Sequence, residues 1–359
     1  MPDAETSAPP LRVLFVNRMA SLERGGGETF DLEISRHLEQ LGCAVSYLSG
    51  IPLFSGARTP IPHPRSHLVR SPFTGWFPWD KVRGGWRLRT WDLGCFERAA
   101  ARWVLARPGA YDIVQICELP QLVARLKAGR CPCPVVMRVT APNVYDPWQG
   151  TRQADAVIAS GTSIAKLRAG ERPDCVDVPN GVDTGRFRPH ASDFRARHGI
   201  GADEFLLLYV ARFQAFKNHA MLVEAFRLFL AQAPAGFAAR LVLVGSGPLR
   251  ARVEAQVTAA GLAGRVLFLG ETPFAELPGV YAAADLMVIS SDYESFCFAA
   301  IEAMASGLAV VSTDGGWVPN LIGKSAGGPS DHGFWDAAGG WVTPVGDAPA
   351  FAGALLEAW

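Results

Sequence analysis

Short apolar runs that do not alternate with polar residues, each followed by a turn and then a stretch of helical period, recur through both halves of this 359-residue chain. In the first half the runs are 12–16, 44–48, 112–116, 134–139 and 155–159; in the second they are 205–210, 240–244, 265–269, 285–289 and 308–312. Near-continuous Val, Ile and Leu is how a strand reads when helices cover both faces of a parallel sheet. Between the runs lie amphipathic segments such as 28–41, which sets Phe30, Ile34, Leu38 and Leu41 on one face and has Gly42 as its stop. This grammar predicts an α/β chain of two Rossmann-like, doubly wound parallel-sheet domains. Ligands of such sheets bind beyond the carboxyl ends of the strands, so chemistry belongs in the loops that follow the runs.

Composition supports two folded bodies. Apolar residues make up 49% and charged ones 19%, enough to bury a core and too apolar for a disordered chain. Lys+Arg and Asp+Glu both number 34, so no global charge draws the protein to nucleic acid. The zero balance hides a split: residues 1–178 carry 22 basic against 17 acidic side chains, and residues 179–359 carry 12 against 17. We place the domain seam there, in Asp177-Val178-Pro179-Asn180-Gly181-Val182-Asp183, giving domains 1–178 and 179–359. Seven cysteines form no Cys-x-x-Cys pair, which excludes a disulfide framework or zinc ribbon and fits a reducing compartment. Cys131-Pro132-Cys133 reads as a turn before a strand, and no metal site is assigned. The acidic start, Met1-Pro2-Asp3-Ala4-Glu5, is unlike a signal peptide, and no apolar run reaches the ~20 residues that span a bilayer. A cytoplasmic protein is expected.

Residues 50–96 break the grammar. They are rich in Pro, Gly, Arg and Trp, show no clear period, and are predicted to form an irregular excursion. Trp76, Trp79, Trp86 and Trp91 mix there with Arg65, Arg70, Lys81, Arg83, Arg87 and Arg89. That mixture suits peripheral contact with an anionic membrane at its inner face, or an acidic lipid-linked acceptor. The alternative buries the Trp residues against the N-terminal sheet.

Three loops carry residues of chemical interest. Gly25-Gly26-Gly27-Glu28 opens the first helix, where glycines let backbone N–H groups approach an anion and the helix N-terminus adds positive charge. The glycines equally permit a plain tight turn. They are consecutive and nine residues beyond Val16, which disfavours a nicotinamide-binding fingerprint and hence an oxidoreductase. In the second half, Arg212 follows a strand and Lys217 precedes the helix 220–230, a pair able to neutralise a diphosphate leaving group. Glu294 and Glu302 share one strand–loop–helix unit, Glu302 about one turn into a small-residue helix that starts near Phe298. A helix N-terminus so placed can meet a phosphate while the two carboxylates accept from sugar hydroxyls, although either Glu taken separately reads as a surface carboxylate.

The second half resembles the retaining nucleotide-sugar glycosyltransferases of family 4, the glycosyl transferases group 1. The matching stretches run in order: Val178-Pro179-Asn180-Gly181-Val182-Asp183-Thr184-Gly185-Arg186-Phe187, Ala211-Arg212 through Lys217, Leu243-Val244-Gly245-Ser246-Gly247-Pro248-Leu249, Tyr281-Ala282-Ala283-Ala284-Asp285, the Glu294–Glu302 unit and Gly315-Gly316. Gly26-Gly27-Glu28 resembles the family's N-terminal loop. The resemblance implies the GT-B fold, two Rossmann-like domains facing across a cleft, with the acceptor on the N-terminal domain and a nucleotide sugar on the C-terminal one. It implies that Arg212 and Lys217 hold the donor diphosphate, that Glu294 contacts the donor sugar, and that Phe296, Cys297 and Phe298 present backbone N–H groups to sugar and phosphate. By the same resemblance Glu302 binds ribose, Gly245 and Gly247 form the turn beside the nucleoside, and Gly26 and Gly27 close over the phosphate. The donor implied is a UDP-, GDP- or ADP-sugar, the acceptor a glycan or lipid-linked precursor, and no cofactor or metal is required.

The chain departs from the family pattern at several points. Ser295 and Cys297 stand where the family usually has glycine in Glu-Gly-Phe-Gly, narrowing the room near the sugar. After Gly315-Gly316 the usual Pro-Glu reads Trp317-Val318-Pro319-Asn320. Where many relatives have a His, this chain has Thr140, with Glu118 or Asp146 as substitute proton acceptors. The end, 351–359, falls inside a helical pattern that relatives continue, so it reads as naturally short or truncated. A catalytically inactive subunit of the same fold is the rival from another class.

Overall fold

A computed structural model of the chain describes residues 9–22, 25–54, 61, 63–72, 85–140 and 145–359. It divides into two compact units, Met1–Pro179 and Asn180–Trp359. The first contains, in order, β1 (Arg12–Val16), α1 (Gly26–Gln40), β2 (Ala44–Pro52), β3 (Ser66–Ser71), α2 (Gly85–Leu105), β4 (Ile113–Cys117), α3 (Pro120–Ala128), β5 (Val135–Val139), α4 (Gly150–Gln153), β6 (Ala156–Ala159), α5 (Thr162–Ala169) and β7 (Val176–Asp177). The second begins with α6 (Phe194–Arg197), β8 (Phe205–Val210), α7 (His219–Gln232), β9 (Ala239–Val244), α8 (Arg250–Ala259), β10 (Val266–Gly270) and α9 (Leu277–Ala283). It continues through β11 (Leu286–Ile289), α10 (Phe298–Ala305), β12 (Ala309–Thr313), α11 (Val318–Leu321), β13 (Trp335–Ala337), β14 (Gly340–Thr343) and α12 (Ala348–Ala358).

Among the described residues each unit holds one sheet, ordered β3-β2-β1-β4-β5-β6-β7 in the first and β10-β9-β8-β11-β12-β14-β13 in the second. The strand order reverses between β1 and β4 and again between β8 and β11, the switch points at which doubly wound sheets open a crevice. Both sheets are the Rossmann-like architecture that the apolar runs predict. The runs are buried as that reading requires: Leu206, Leu207, Leu208 and Tyr209 of β8 and all of Leu286–Ile289 lie in the core. Helix ends follow local chemistry. At the end of α1, Gly42 at φ +87° lets its own N–H reach the Glu39 carbonyl and the Cys43 N–H reach that of Leu38, which satisfies two orphan acceptors. Leu41, expected on the core face, is instead the exposed residue at that cap.

The structure corrects the reading of 50–96. β2 runs on to Pro52, β3 pairs parallel with it from Tyr47↔Ser66 to Pro52↔Ser71, and α2 begins at Gly85. β3 is an edge strand in which only Val69 and Ser71 are buried, so it never shows a continuous apolar run. α2 hides differently: its first turns invert the pattern, while Phe96, Ala100, Ala101 and Val104 further on are buried in the ordinary way. Asp92 and Glu97 are buried while Trp86 and Trp91 are 67% and 50% exposed, so burial of these two Trp residues against the sheet does not hold. Asp92 pairs with Arg18, and the Glu97 carboxylate accepts from the Leu122 N–H at 3.2 Å, while burial pushes its pKa up to about 7. Trp76, Trp79, Lys81 and Arg83 lie outside the described residues. Among the described residues no helix is long and apolar enough to cross a membrane.

One strand differs in direction. β13 pairs antiparallel with β14, which itself lies parallel to β12, so a hairpin closes the second sheet's edge. The close pairing of β14 with β12 depends on Gly340, at φ +146°, where an added Cβ would fall 1.9 Å from the Val310 carbonyl oxygen. Gly340→Ala is therefore expected to destabilise the protein by about 2 kcal/mol or more. The thermal midpoint should drop by roughly 4 °C or more in calorimetry, and an unchanged midpoint would contradict this geometry.

Candidate functional site

The second unit's switch point gathers most of the residues singled out above. The loop leaving β8 carries Arg212, which is exposed, and a 3₁₀ turn, Ala215–Lys217, delivers Lys217 just ahead of α7. The loop leaving β11 carries Glu294. The Lys217 ammonium donates to Oε1 of Glu294 at 2.5 Å, and the Ser291 hydroxyl donates to the same oxygen at 2.6 Å. Glu294 is only 8% exposed, so these donors offset the desolvation of its charge.

The two loops are fastened along their backbones. The Lys217 carbonyl accepts from the Tyr209 phenol and from the Ser290 hydroxyl, both at 2.9 Å. The Asp292 N–H donates to the Phe216 carbonyl at 2.7 Å, and the Asn218 amide donates to the Asp292 carboxylate at 2.8 Å. The Tyr209 and Ser291 hydroxyl oxygens lie 2.9 Å apart, close enough for either hydroxyl to donate to the other in place of these acceptors. Burial first, then the nearby Glu294 charge, pushes the Tyr209 phenol well above its ordinary pKa, so it stays protonated. His219 stacks on Phe213 at 4.1 Å, and burial, helped by Lys217, lowers its pKa to about 4, leaving the ring neutral. Tyr209, Ser290, Ser291 and His219 were not singled out in the sequence. The only signal was polar residues at the end of two apolar runs.

Gly315 and Gly316 form the floor under Glu294. The Glu294 N–H donates to the Gly315 carbonyl at 3.0 Å, and an added Cβ on Gly316 would fall 2.0 Å from the Glu294 carbonyl oxygen. Gly245 and Gly247 play the same part for the other loop. Their missing side chains leave room for the backbone at Ala211 and Phe213, where an added Cβ would meet carbonyl oxygens at 2.2 and 2.6 Å. The glycines thus set the path of the segment that carries Arg212.

At the start of α10, Phe296 is buried, Cys297 is the N-cap residue, and Phe298 is the first helical residue. Cys297 lies at φ +79°, a left-handed backbone that favours glycine. Burial, with Glu294 adding to it, pushes its thiol well above the ordinary range, so it is a wall of the site and not a nucleophile. Glu302, one turn on, is buried and accepts from the Tyr281 phenol at 2.7 Å.

The first unit holds the remaining candidates. Gly26 and Gly27 start α1, and the Gly27 carbonyl accepts from the Arg138 guanidinium at 2.9 Å. Arg138 also faces Asp31 at 3.4 Å, whose carboxyl burial pushes up to about 6. The Glu118 carboxylate takes the Thr140 N–H at 2.6 Å and the Thr140 hydroxyl, joining the carboxyl ends of β4 and β5. Asp146 instead accepts from the Gly150 and Thr151 N–H groups at 3.0 and 2.8 Å and serves the start of α4. Among the described residues no cluster of three or more His, Cys, Asp or Glu side chains is placed to hold a metal ion.

With this geometry in place, the comparisons fall on the same half of the chain. Residues 191–358 match the family model of glycosyl transferases group 1. The chain is 33% identical over 215 residues to D-inositol 3-phosphate glycosyltransferase of Nocardia farcinica, a match covering 57% of this chain and 46% of that protein. It thus spans about half the length of the curated relatives it matches. Among solved structures, sucrose-phosphate synthase from Thermosynechococcus elongatus superposes with a TM-score of 0.74 at 22% identity, covering 97% of this chain and 89% of that one. Anabaena HepE in complex with UDP and glucose gives 0.69 at 21% identity, with 97% and 89% covered. These likenesses show the fold, GT-B, over both units.

The left-handed N-cap yields a test. Cys297→Gly should be more stable than Cys297→Ala by about 1 kcal/mol, because only the alanine keeps a Cβ at positive φ. Chemical denaturation of both variants measures the difference, and the reverse order would contradict the backbone described.

Proposed function

We propose that the chain is a retaining glycosyltransferase of family 4 that transfers a sugar from a UDP-, GDP- or ADP-sugar to a glycan or lipid-linked acceptor. The observation that carries this reading is the Lys217–Glu294 pair at 2.5 Å, held at the switch point with the N-terminus of α10 alongside. In it Lys217 and Arg212 meet the diphosphate, Glu294 the donor sugar, and the N–H groups of Phe296, Cys297 and Phe298 the sugar and phosphate. Glu302 accepts from ribose, Gly245 and Gly247 flank the nucleoside, and Gly26 and Gly27 are assigned to phosphate binding. The family match of the C-terminal domain supports this reading, as do the UDP and glucose bound by the similarly folded HepE.

The chemistry follows from charge. The bond from the anomeric carbon to the leaving phosphate oxygen breaks through an oxocarbenium-like state, and the acceptor oxygen attacks the same face. The acceptor proton passes to the departing phosphate oxygen. Catalysis is then positioning plus stabilisation of the diphosphate by two cations and a helix N-terminus, with no metal or cofactor. Because the leaving phosphate takes the proton, this route asks no base of Thr140 or Glu118.

Lys217→Ala and Arg212→Ala should each weaken UDP, GDP or ADP binding by about 1.5–3 kcal/mol in calorimetry, the size of one charge-assisted contact. Glu294→Gln should reduce turnover more than nucleotide affinity, whereas Glu302→Gln should weaken the free nucleotide. Unchanged affinity in both cation variants, or one profile for both carboxylates, would overturn the assignment.

The acceptor side of the proposal includes a membrane surface. Trp86, Arg87, Leu88, Arg89 and Trp91 are exposed on the first turns of α2, with the Arg87 guanidinium 5.9 Å from the Trp86 ring. Aromatic and cationic side chains on one exposed turn suit the headgroup level of the inner membrane face. Co-sedimentation with anionic vesicles should weaken with salt and fall by ~1 kcal/mol for each of Arg87→Ser and Arg89→Ser. Absence of binding would remove this part.

A further inference from the structure

We infer that Tyr281 is a positioning residue of the nucleotide site: its phenol, braced by Phe187, aims the Glu302 carboxylate at the ribose hydroxyls. The inference rests on the nucleotide reading given above and adds the device that makes Glu302 selective for a ribonucleotide.

Glu302 sits on a helix of small residues, Ala299, Ala300, Ala303 and Ala305, which offer its carboxylate no side-chain donor. It is nevertheless 7% exposed, and a buried carboxylate is costly without hydrogen bonds. Tyr281, from α9, donates to its Oε2 at 2.7 Å and is itself fully buried. Burial and the Glu302 charge both hold the phenol protonated, so the donor is permanent. Pinning one oxygen fixes the plane of the carboxylate and the direction of the other, which a free χ3 torsion would leave broad.

The brace reaches back to the unit's first residues. The Phe187 ring meets Tyr281 edge-on at 5.7 Å and 75°, and meets Phe274 at 5.7 Å and 60°. The Arg186 guanidinium covers Phe274 at 4.9 Å. Phe187 is fixed by a turn on Asp183, whose carbonyl accepts its N–H at 2.8 Å and whose Oδ1 accepts from Gly185 and Arg186 at 2.9 and 3.2 Å. The segment 183–187 lies far from Glu302 in sequence, and the aromatic contacts are its physical link to the site. A ribose diol donates two O–H groups to a carboxylate held in this way, and a 2′-deoxyribose donates one fewer, which a site built for a hydroxyl penalises.

The test is calorimetry of wild type, Tyr281→Phe and Phe187→Leu with UDP, GDP and ADP, each beside its 2′-deoxy counterpart. Wild type should prefer one ribonucleotide over its deoxy form by about tenfold, and Tyr281→Phe should weaken only the ribo form, so that the ratio falls to about twofold or less. A merely structural role would weaken both forms alike and leave the ratio intact, which would overturn the inference. Phe187→Leu keeps the phenol but loosens it, so an intermediate ratio is expected; it carries the test if Tyr281→Phe does not fold. A wild type that binds a ribonucleotide and its deoxy form equally overturns the inference while leaving the nucleotide reading standing. A wild type that binds none of the six overturns both.

Discussion

The arrangement of the second unit depends on one ion pair across its switch point. Lys217 and Glu294 come from loops 77 residues apart, and neither is placed by its own strand alone. Bringing them to 2.5 Å requires the β8 and β11 loops to run side by side, and the hydroxyls of Tyr209, Ser290 and Ser291 do this by satisfying backbone and carboxylate acceptors together. A partly buried pair of this kind adds little net stability. Its value lies in keeping a cation desolvated and aimed, because removal of either partner leaves an uncompensated charge. The glycines at 245, 247, 315 and 316 follow from the same need, since each admits backbone where a Cβ would collide.

What the sequence discloses of this is set by distance along the chain. Strands buried on both faces announce themselves, so β8, β9, β11 and β12 are legible nearly to the residue. Lys217, Glu294 and Glu302 are legible because they sit in loops or helix starts that follow such strands. Tyr209 and Tyr281 are not, since each lies in an apolar context that reads as core, and each acts on a partner 8 to 82 residues away. Their phenol oxygens matter only once the fold has brought a carbonyl or carboxylate to them.

The first unit hides more, and for a different reason. Helix α2 buries Asp92 and Glu97 and exposes Trp86 and Trp91, so over its first turns periodicity analysis meets a reversed pattern. The reversal is possible because each buried charge has a donor: Arg18 for Asp92, and the Leu122 N–H, with Arg18 and Arg125 nearby, for Glu97. Hydrophobic patterning assumes that polar residues go unpaired when buried. Where the fold supplies partners, that assumption fails and the helix cannot be seen beforehand.

Charge is therefore handled differently at the two switch points. In the second unit the carboxylates of Glu294 and Glu302 each take a hydroxyl donor from the fold, which keeps them in place. In the first unit Asp31 takes the Asn17 amide at 2.7 Å and faces Arg138, yet burial still pushes its carboxyl up to about 6. Arg138 divides its guanidinium between that carboxyl and the Gly27 carbonyl at the start of α1, and its Cζ lies 3.9 Å from the centroid of the Phe30 ring. The glycines at 26 and 27 are thus anchored from β5 through one side chain. Sterics do not explain Gly27, where an added Cβ would make only ordinary contact with Arg138 at 3.5 Å. The anchor instead fixes where α1 begins, and hence where its unpaired N–H groups lie at the carboxyl edge of the first sheet.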